Sequence, residues 1–428
     1  MMIVIALVQV LEMVDIELEP LVREAYPSKM LNLTSGTYSG KNIAIVETEM
    51  RKYRMFHVSG DEQRDVTLKP SSQSDSLFLL TNISMSLTGM RIIVPTNNSF
   101  IKTFEDSYLL MIGIVHDYST RNFAVIEDAR YATILMRNHT FQPNSRFGCP
   151  IVQRNEEGTA EDNNELAMEW SKISGIIMTK DVPFLTNAQT GNVSMKNNVF
   201  EDIRFAANVA GQKTPAPTIV LQRPLHQAWI QNNTLKNCDG PLTGGLGFFH
   251  LAKDVYITNT TVDSSTNLML GSLASPFTGW SYQVVSSNFS NCVSTPSNQN
   301  GSALYVGIAE DVLISNSHFK NNTAAVAGGA VWIGEGCMKF VVENSSFLMN
   351  RAAIGGAISV IGQKGQHGSP SRVDSTQFAN IARLGSDLHF DDIAKLNVTS
   401  ESFGNCRSRS GSPRVYDGKT KKGYEWTN

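Results

Sequence analysis

The chain is short of charge. Lys, Arg, Asp and Glu make up 18% of its 428 residues and leave a formal net charge of −3, where an ordinary soluble domain devotes about a quarter of its residues to charge. So balanced a chain lacks the basic surplus with which a dedicated nucleic-acid binder neutralises phosphates. Cysteine is also scarce. Cys149, Cys238, Cys292, Cys337 and Cys406 are odd in number and widely spaced, with no CxxC pair. That excludes a thioredoxin-type or zinc-ribbon motif and argues against a disulfide framework. The apolar run within MMIVIALVQVLEMV at the start is too short to span a bilayer. There is no HExxH, no GxSxG, no P-loop and no GxGxxG after a strand, and the eight histidines do not cluster. No cofactor is implied.

What replaces the charge is Asn, Ser, Thr and Gly, alongside 41% hydrophobic residues. They fall into a repeat. Two alternating apolar residues are followed by a polar turn residue and, three positions later, by Phe or another large apolar side chain. VSMKNNVF (193–200), AWIQNNTL (228–235), VYITNTTV (255–262), YQVVSSNF (282–289), VLISNSHF (312–319), FVVENSSF (340–347) and SRVDSTQF (371–378) are copies, with ILMRNHTF (134–141) an earlier one. The anchors are Phe141, Phe200, Leu235, Val262, Phe289, Phe319, Phe347 and Phe378, with Phe403 as a ninth; from 200 onward they are spaced 35, 27, 27, 30, 28, 31 and 25 residues. A two-residue apolar period means strands, and a unit near 28 residues fits neither helical repeats nor propeller blades. One such coil buries only one side of each strand. Stacking coils in register at about 4.7–4.9 Å pairs their backbones and joins the apolar side chains into a column. The fold class predicted is all-β, a single-stranded right-handed parallel β-helix (solenoid) with a short N-terminal capping helix.

Asn197, Asn232, Asn259, Asn316 and Asn344 share one place in the phrase. Asn tolerates the left-handed backbone of a sharp turn and can pass amide hydrogen bonds to its neighbours along the stack. Cys238, Cys292 and Cys406 sit three residues after an anchor, where other coils carry Asn144, Asn322 and Asn350. Cys238 and Cys292 are two coils apart, roughly 9–10 Å, beyond disulfide reach, so they are expected to be free buried thiols.

A second signature follows the anchors: Phe319-Lys-Asn-Asn322 then Gly328-Gly-Ala-Val331, Phe347-Leu-Met-Asn350 then Gly355-Gly-Ala-Ile358, Phe289-Ser-Asn-Cys292 then Gly301-Ser-Ala-Leu304, and a looser Gly385-Ser-Asp-Leu388 after Phe378. This pairing of FxxN with GGA[ILV] resembles the repeat of chlamydial polymorphic outer-membrane proteins and of similar algal and protist β-helix proteins. The resemblance is strong over 280–390, weaker over 130–280, and thin before that, where LNLTSGTYSG (31–40) looks like an opening coil. It implies a pectin-lyase-like β-helix used as a surface adhesin or passenger. No outer-membrane β-barrel is expected from the residues after 406, so autotransporter anchoring is not expected. The NTD, DD and GHG motifs of polygalacturonases and the pectin-esterase motifs are absent.

Three segments are expected: 1–28, a cap or weak signal segment in which Ile16, Leu18, Leu21 and Val22 fall on one side of a helix; 29–406, the β-helix; and 407–428, a basic flexible tail. The polar stretch Asn155–Glu165 reads as an insertion leaving the coil body. Twelve N-x-S/T sequons, at Asn32, Asn82, Asn97, Asn138, Asn192, Asn232, Asn259, Asn288, Asn300, Asn321, Asn344 and Asn397, lean toward an extracellular or cell-surface glycoprotein. Asn138, Asn232, Asn259, Asn288 and Asn344 are the glycosylation candidates, although Asn beside Ser or Thr also serves a turn.

Alternate residues of each strand point outward, so the surface is read by column, and a one-residue error would exchange inside for outside. Trp229 and Tyr256 fall on neighbouring coils, as do Tyr305 and Trp332 in a second column that continues through Ser359 and His389. Outward aromatics either stack on sugar rings or brace adjacent coils. Glu343 beside Asp374, with Arg372 diagonal to them, forms either an acid–base or cation site or a self-neutralised surface. Two functions follow. One is a non-enzymatic extracellular or cell-surface β-helix, adhesin-like, binding polysaccharide or cell-surface glycan through flat faces. The other is a carbohydrate-active enzyme, a polysaccharide lyase or epimerase, which needs Lys196, Arg204 or Arg372 to converge with Glu343 or Asp374.

Overall fold

The computed structural model describes residues 15–424 apart from 26–29, 47–54, 61–65, 96, 105–106, 118–119, 122–123, 129–131, 142, 144–145, 148–150, 155–164, 179–189, 206–223, 239–247, 250–253, 266–267, 271–280, 295–299, 308, 335–336, 338, 362–370, 391–395, 399–414 and 418. Two fourteen-stranded sheets run along it, and shorter sheets of five, four and eight strands complete the coils. Among the described strands every pairing is parallel except the last, between Val415–Asp417 and Lys422–Tyr424. Each strand pairs with its counterpart one coil away in sequence, so the chain is a parallel β-helix. We call the sheet from Met30–Asn32 to Leu396–Val398 the front face, and the sheet from Ile16–Glu17 to Gln377–Ile381 the side face.

The anchor column forms as the phrase requires. Phe289, Phe319, Phe347 and Phe378 stack with centroid separations of 5.0, 4.6 and 5.3 Å, and all are buried. Burying each ring contributes about 1.5–3 kcal/mol. Phe200, Leu235 and Val262 extend the column in register. The long gap between Phe141 and Phe200 is filled by Ile173, which pairs with Phe200. Before Phe141 the stack continues through His116, Ile92, Leu68, Tyr38 and Ile16, in coils that carry no copy of the phrase. His116 takes the aromatic place, its ring 4.2 Å from Phe141, and its Nε2 lies 2.8 Å from Nδ1 of buried His139.

The front and side faces meet at a two-residue turn. Its first residue is left-handed, with φ of 57° at Asn197, 55° at Asn232, 47° at Asn259, 49° at Asn316 and 48° at Asn344. Among these five, one bond joins coil to coil through the side chains: the Asn232 amide donates to Asn197 Oδ1 at 3.1 Å. The ladder expected of them sits one residue later and points inward. The backbone N–H groups of His139, Ser171 and Asn198 donate to the side chains of Ser171, Asn198 and Asn233 in the next coil, and those of Thr260, Ser287 and Ser317 to Ser287, Ser317 and Ser345. A second buried ladder lies at the far end of the side face. Both the backbone and side-chain N–H of Asn322 donate to Asn350 Oδ1, and those of Asn350 to Asn380 Oδ1. Cys238 and Cys292 share this column and are free and buried, as expected, and Cys337 is a third such thiol. Cys149 and Cys406 lie outside the described residues.

The GGA step has two causes. Gly355 holds φ at +58°, and a Cβ on Gly356 would run into the backbone of Ser386 and Ile381 in the next coil. The first glycine permits the turn and the second the close approach of coils.

Two expectations are corrected. The helix spans Leu18–Ala25 and buries Leu18 and Val22 in the main core, with Leu21 and Ala25 packed against it, but Ile16 belongs to a strand and is 41% exposed. The segment 407–428 is not wholly a flexible tail. Val415–Asp417 adds a strand beside Leu388–Phe390, and Lys422–Tyr424 folds back on it. Asp417 fixes that turn by accepting from the backbone of Lys419 and Thr420 and from the Thr420 hydroxyl. Burial raises its carboxyl, but these hydrogen bonds outweigh that and hold it below the usual range.

Candidate functional site: the front face

The outward residues of the front face fall into three rows, at positions one, three and five of each strand. In the third-position row Trp229 pairs with Tyr256 and Tyr256 with Gln283. The two rings are stacked 6.4 Å apart and 13° from parallel, and both are half-buried. Polar side chains flank them. Gln227 donates to Asp254 at 3.3 Å on one side, and Gln231 and Thr258 lie on the other. A flat aromatic pair bordered by amides, a hydroxyl and a carboxylate offers both an apolar surface and directional hydrogen bonding.

Trp170 is the residue that reading the repeat missed. Its coil, ELAMEWSKIS, is anchored by Ile173 rather than Phe, which hides it among the copies. Aligning it on register would have placed Trp where six coils carry Asn. Its φ is 55° and the side chain is 65% exposed. A left-handed backbone costs a bulky residue about 1–2 kcal/mol, and so exposed a ring regains little of that by packing. Beside it, Arg137 binds Glu169 at 2.9 Å. Lys196, the register partner of Glu169 and of Gln231, makes no ion pair among the described residues.

The acidic pair is brought together as the columns foresaw: Glu343 and Asp374 are register partners. The Arg372 guanidinium, however, donates to Glu343 at 2.6 Å in a partly exposed ion pair, so Glu343 already has a cationic partner. Ser375 donates to Asp374. Arg204 lies on another sheet next to Asp202, and Lys196 stands five strands from Glu343 along one row, about 24 Å at strand spacing. Among the described residues no three His, Cys, Asp or Glu side chains gather as a metal site.

The second aromatic column is a correction. Tyr305 and Trp332 do stack, at 4.4 Å, but they are 3% and 6% exposed, and Ser359 and His389 are buried as well. Ala327, Ile354 and Ile361 close over the pair and form a second small core. Alternation gives the direction of a side chain, not what lies above it. Burial pushes the Tyr305 phenol up to about 12. Of the glycosylation candidates, Asn138, Asn232, Asn259, Asn288 and Asn344 are all exposed, all but Asn288 in left-handed turns.

The fold therefore defines a parallel β-helix whose front face carries a half-buried, stacked aromatic pair. No family model and no curated protein matches the chain. Among solved structures it is similar to tailspike protein 3 of bacteriophage CBA120, at 12% identity and a TM-score of 0.37, covering 95% of this chain and just under two thirds (66%) of the tailspike. It is also similar to a mannuronic acid specific polysaccharide family 6 lyase from human gut microbiota, at 9% identity and a TM-score of 0.28, covering 90% and 91%. Likeness this distant transfers no role to any residue. Among the described residues no helix is long and apolar enough to cross a membrane, which says nothing of strands.

Proposed function

We propose that the protein is a non-enzymatic, adhesin-like β-helix of the extracellular space or cell surface that binds glycans through its front face. The observation that carries this reading is the Trp229–Tyr256 platform with its polar border. Sugar rings present C–H faces that stack on aromatic surfaces and hydroxyls that bond to amides and carboxylates. The exposed sequons agree with an extracellular setting. The lyase or epimerase reading needs cations converging on Glu343 and Asp374; Arg372 is spent on Glu343, and Lys196 and Arg204 lie elsewhere. That scatter favours binding without turnover. A glycan-array screen run beside an absorbance assay for unsaturated uronate tests the proposal. Binding without product is expected; unsaturated product would overturn it.

A further inference from the structure

We propose that Trp170 and Lys196 extend the Trp229–Tyr256 platform into an oblique track for an acidic glycan, one bearing carboxylate or sulfate groups. This rests on the glycan-binding reading and names the chemical class of its ligand.

Three observations carry it. First, Trp170 occupies a left-handed turn position, with φ 55°, that six coils give to Asn. The residue is 65% exposed, so packing offsets little of that strain. An exposed bulky residue held in a disfavoured backbone conformation points to a task outside the fold. Second, the register lays out a line. Trp170 follows Glu169, Glu169 pairs with Lys196, Lys196 pairs with Gln231, and Gln231 lies two residues beyond Trp229 on its strand. The Trp170 N–H donates to the carbonyl of Lys196 at 3.0 Å, which ties the two positions together. Two strand spacings and three residues separate Trp170 from Trp229, roughly 14 Å on the diagonal. That length suits an oligosaccharide rather than a single ring. Third, the charge along the line is positive and unspent. Glu169 is held by Arg137, Lys196 makes no ion pair among the described residues, and Lys172 stands exposed where the chain enters the side face. An ammonium between two aromatic surfaces selects an anion on a chain that stacks at both ends.

The test uses the full chain and three oligosaccharides of six residues: a uronic-acid hexamer, a sulfated hexamer and an uncharged hexamer, titrated by calorimetry at low and moderate salt. At least one acidic hexamer is expected to bind about tenfold or more tighter than the neutral one, with an affinity that falls as salt screens Lys196; which of the two wins identifies the anion. Trp170→Asn restores the residue used by neighbouring coils. It is expected to weaken the acidic hexamer about tenfold, the scale of losing a Trp anchor, while its melting temperature holds or rises; a purely structural Trp would do the reverse. Lys196→Gln should weaken the acidic hexamer severalfold and flatten the salt dependence. If Trp229→Ala abolishes binding but Trp170→Asn and Lys196→Gln bind like wild type, or if the neutral hexamer binds equally well, the track is wrong and the platform stands. If wild type binds none of the three hexamers and no glycan on an array, the platform fails and the track with it.

Discussion

The rings of Phe319 and Phe347 lie 4.6 Å apart and 1° from parallel, although 28 residues of chain separate them. That contact is the repeat in its smallest form: each anchor is covered by its counterpart in the next coil, and the surface columns follow from the same register.

Breaking the buried asparagine ladder is predicted to cost more than its hydrogen-bond count suggests. Asn350→Leu leaves the Asn322 backbone N–H without its partner inside the core and removes the amide's bonds to Asn322 Nδ2 and the Phe319 carbonyl. Each buried unsatisfied group costs about 1–3 kcal/mol, so a loss of about 3 kcal/mol is expected in urea denaturation. A loss under about 1 kcal/mol would mean the ladder contributes little.

Tyr282 points the other way. Its ring is fully buried and its hydroxyl has no hydrogen-bond partner among the described residues, while burial drives the phenol's pKa upward. Tyr282→Phe is predicted to be neutral or to stabilise by about 1 kcal/mol. Clear destabilisation in the same denaturation assay would show that the hydroxyl is satisfied.

The interior cysteines should be inert. Burial pushes the Cys292 and Cys337 thiols up to about 12, so the reactive thiolate is scarce at neutral pH. In a Cys149→Ser, Cys406→Ser background, an aromatic disulfide reagent is expected to release no colour from the native protein and three equivalents after denaturation, counting buried Cys238. Rapid native labelling would contradict the burial.

Asp263 couples coil stacking to pH. Burial alone would raise its carboxyl, but the Ser290 hydroxyl at 2.6 Å, the Asn291 amide at 2.7 Å, Ser264 and nearby Lys236 outweigh that and hold it below its usual value. A depressed carboxyl contributes stability that is complete above its unfolded pKa of about 3.9 and lost as pH falls through the lower folded value. Asp263→Asn should therefore cost on the order of 1 kcal/mol near neutral pH, discounted for its half-exposed setting, and the gap from wild type should close in acid. A gap that widens in acid would reverse the assignment.

Much of this was legible in the chain because repetition exposes it. Phe289, Phe319, Phe347 and Phe378 announce the column, and alternation places Trp229 and Tyr256 outward. Coils anchored by Leu68, Ile92 and Ile173 stayed hidden because one aliphatic residue resembles any other, and Trp170 was lost with them. The ladder was displaced by one residue because Asn197 and Asn198 are both Asn, and only the backbone conformation separates the turn-former from the inward donor. For Tyr305 and Trp332 alternation gives the direction but not the exposure, since what covers them comes from Ala327 and Ile354 in the intervening turns.

The central claim, that the front face reads sugar, is tested most directly by affinity electrophoresis through gels cast with the polysaccharides that score on a glycan array. Native protein is expected to be retarded, and Trp229→Ala with Tyr256→Ala to migrate as in a sugar-free gel, with its melting curve little changed. Equal retardation of the doubly substituted and native proteins would contradict it.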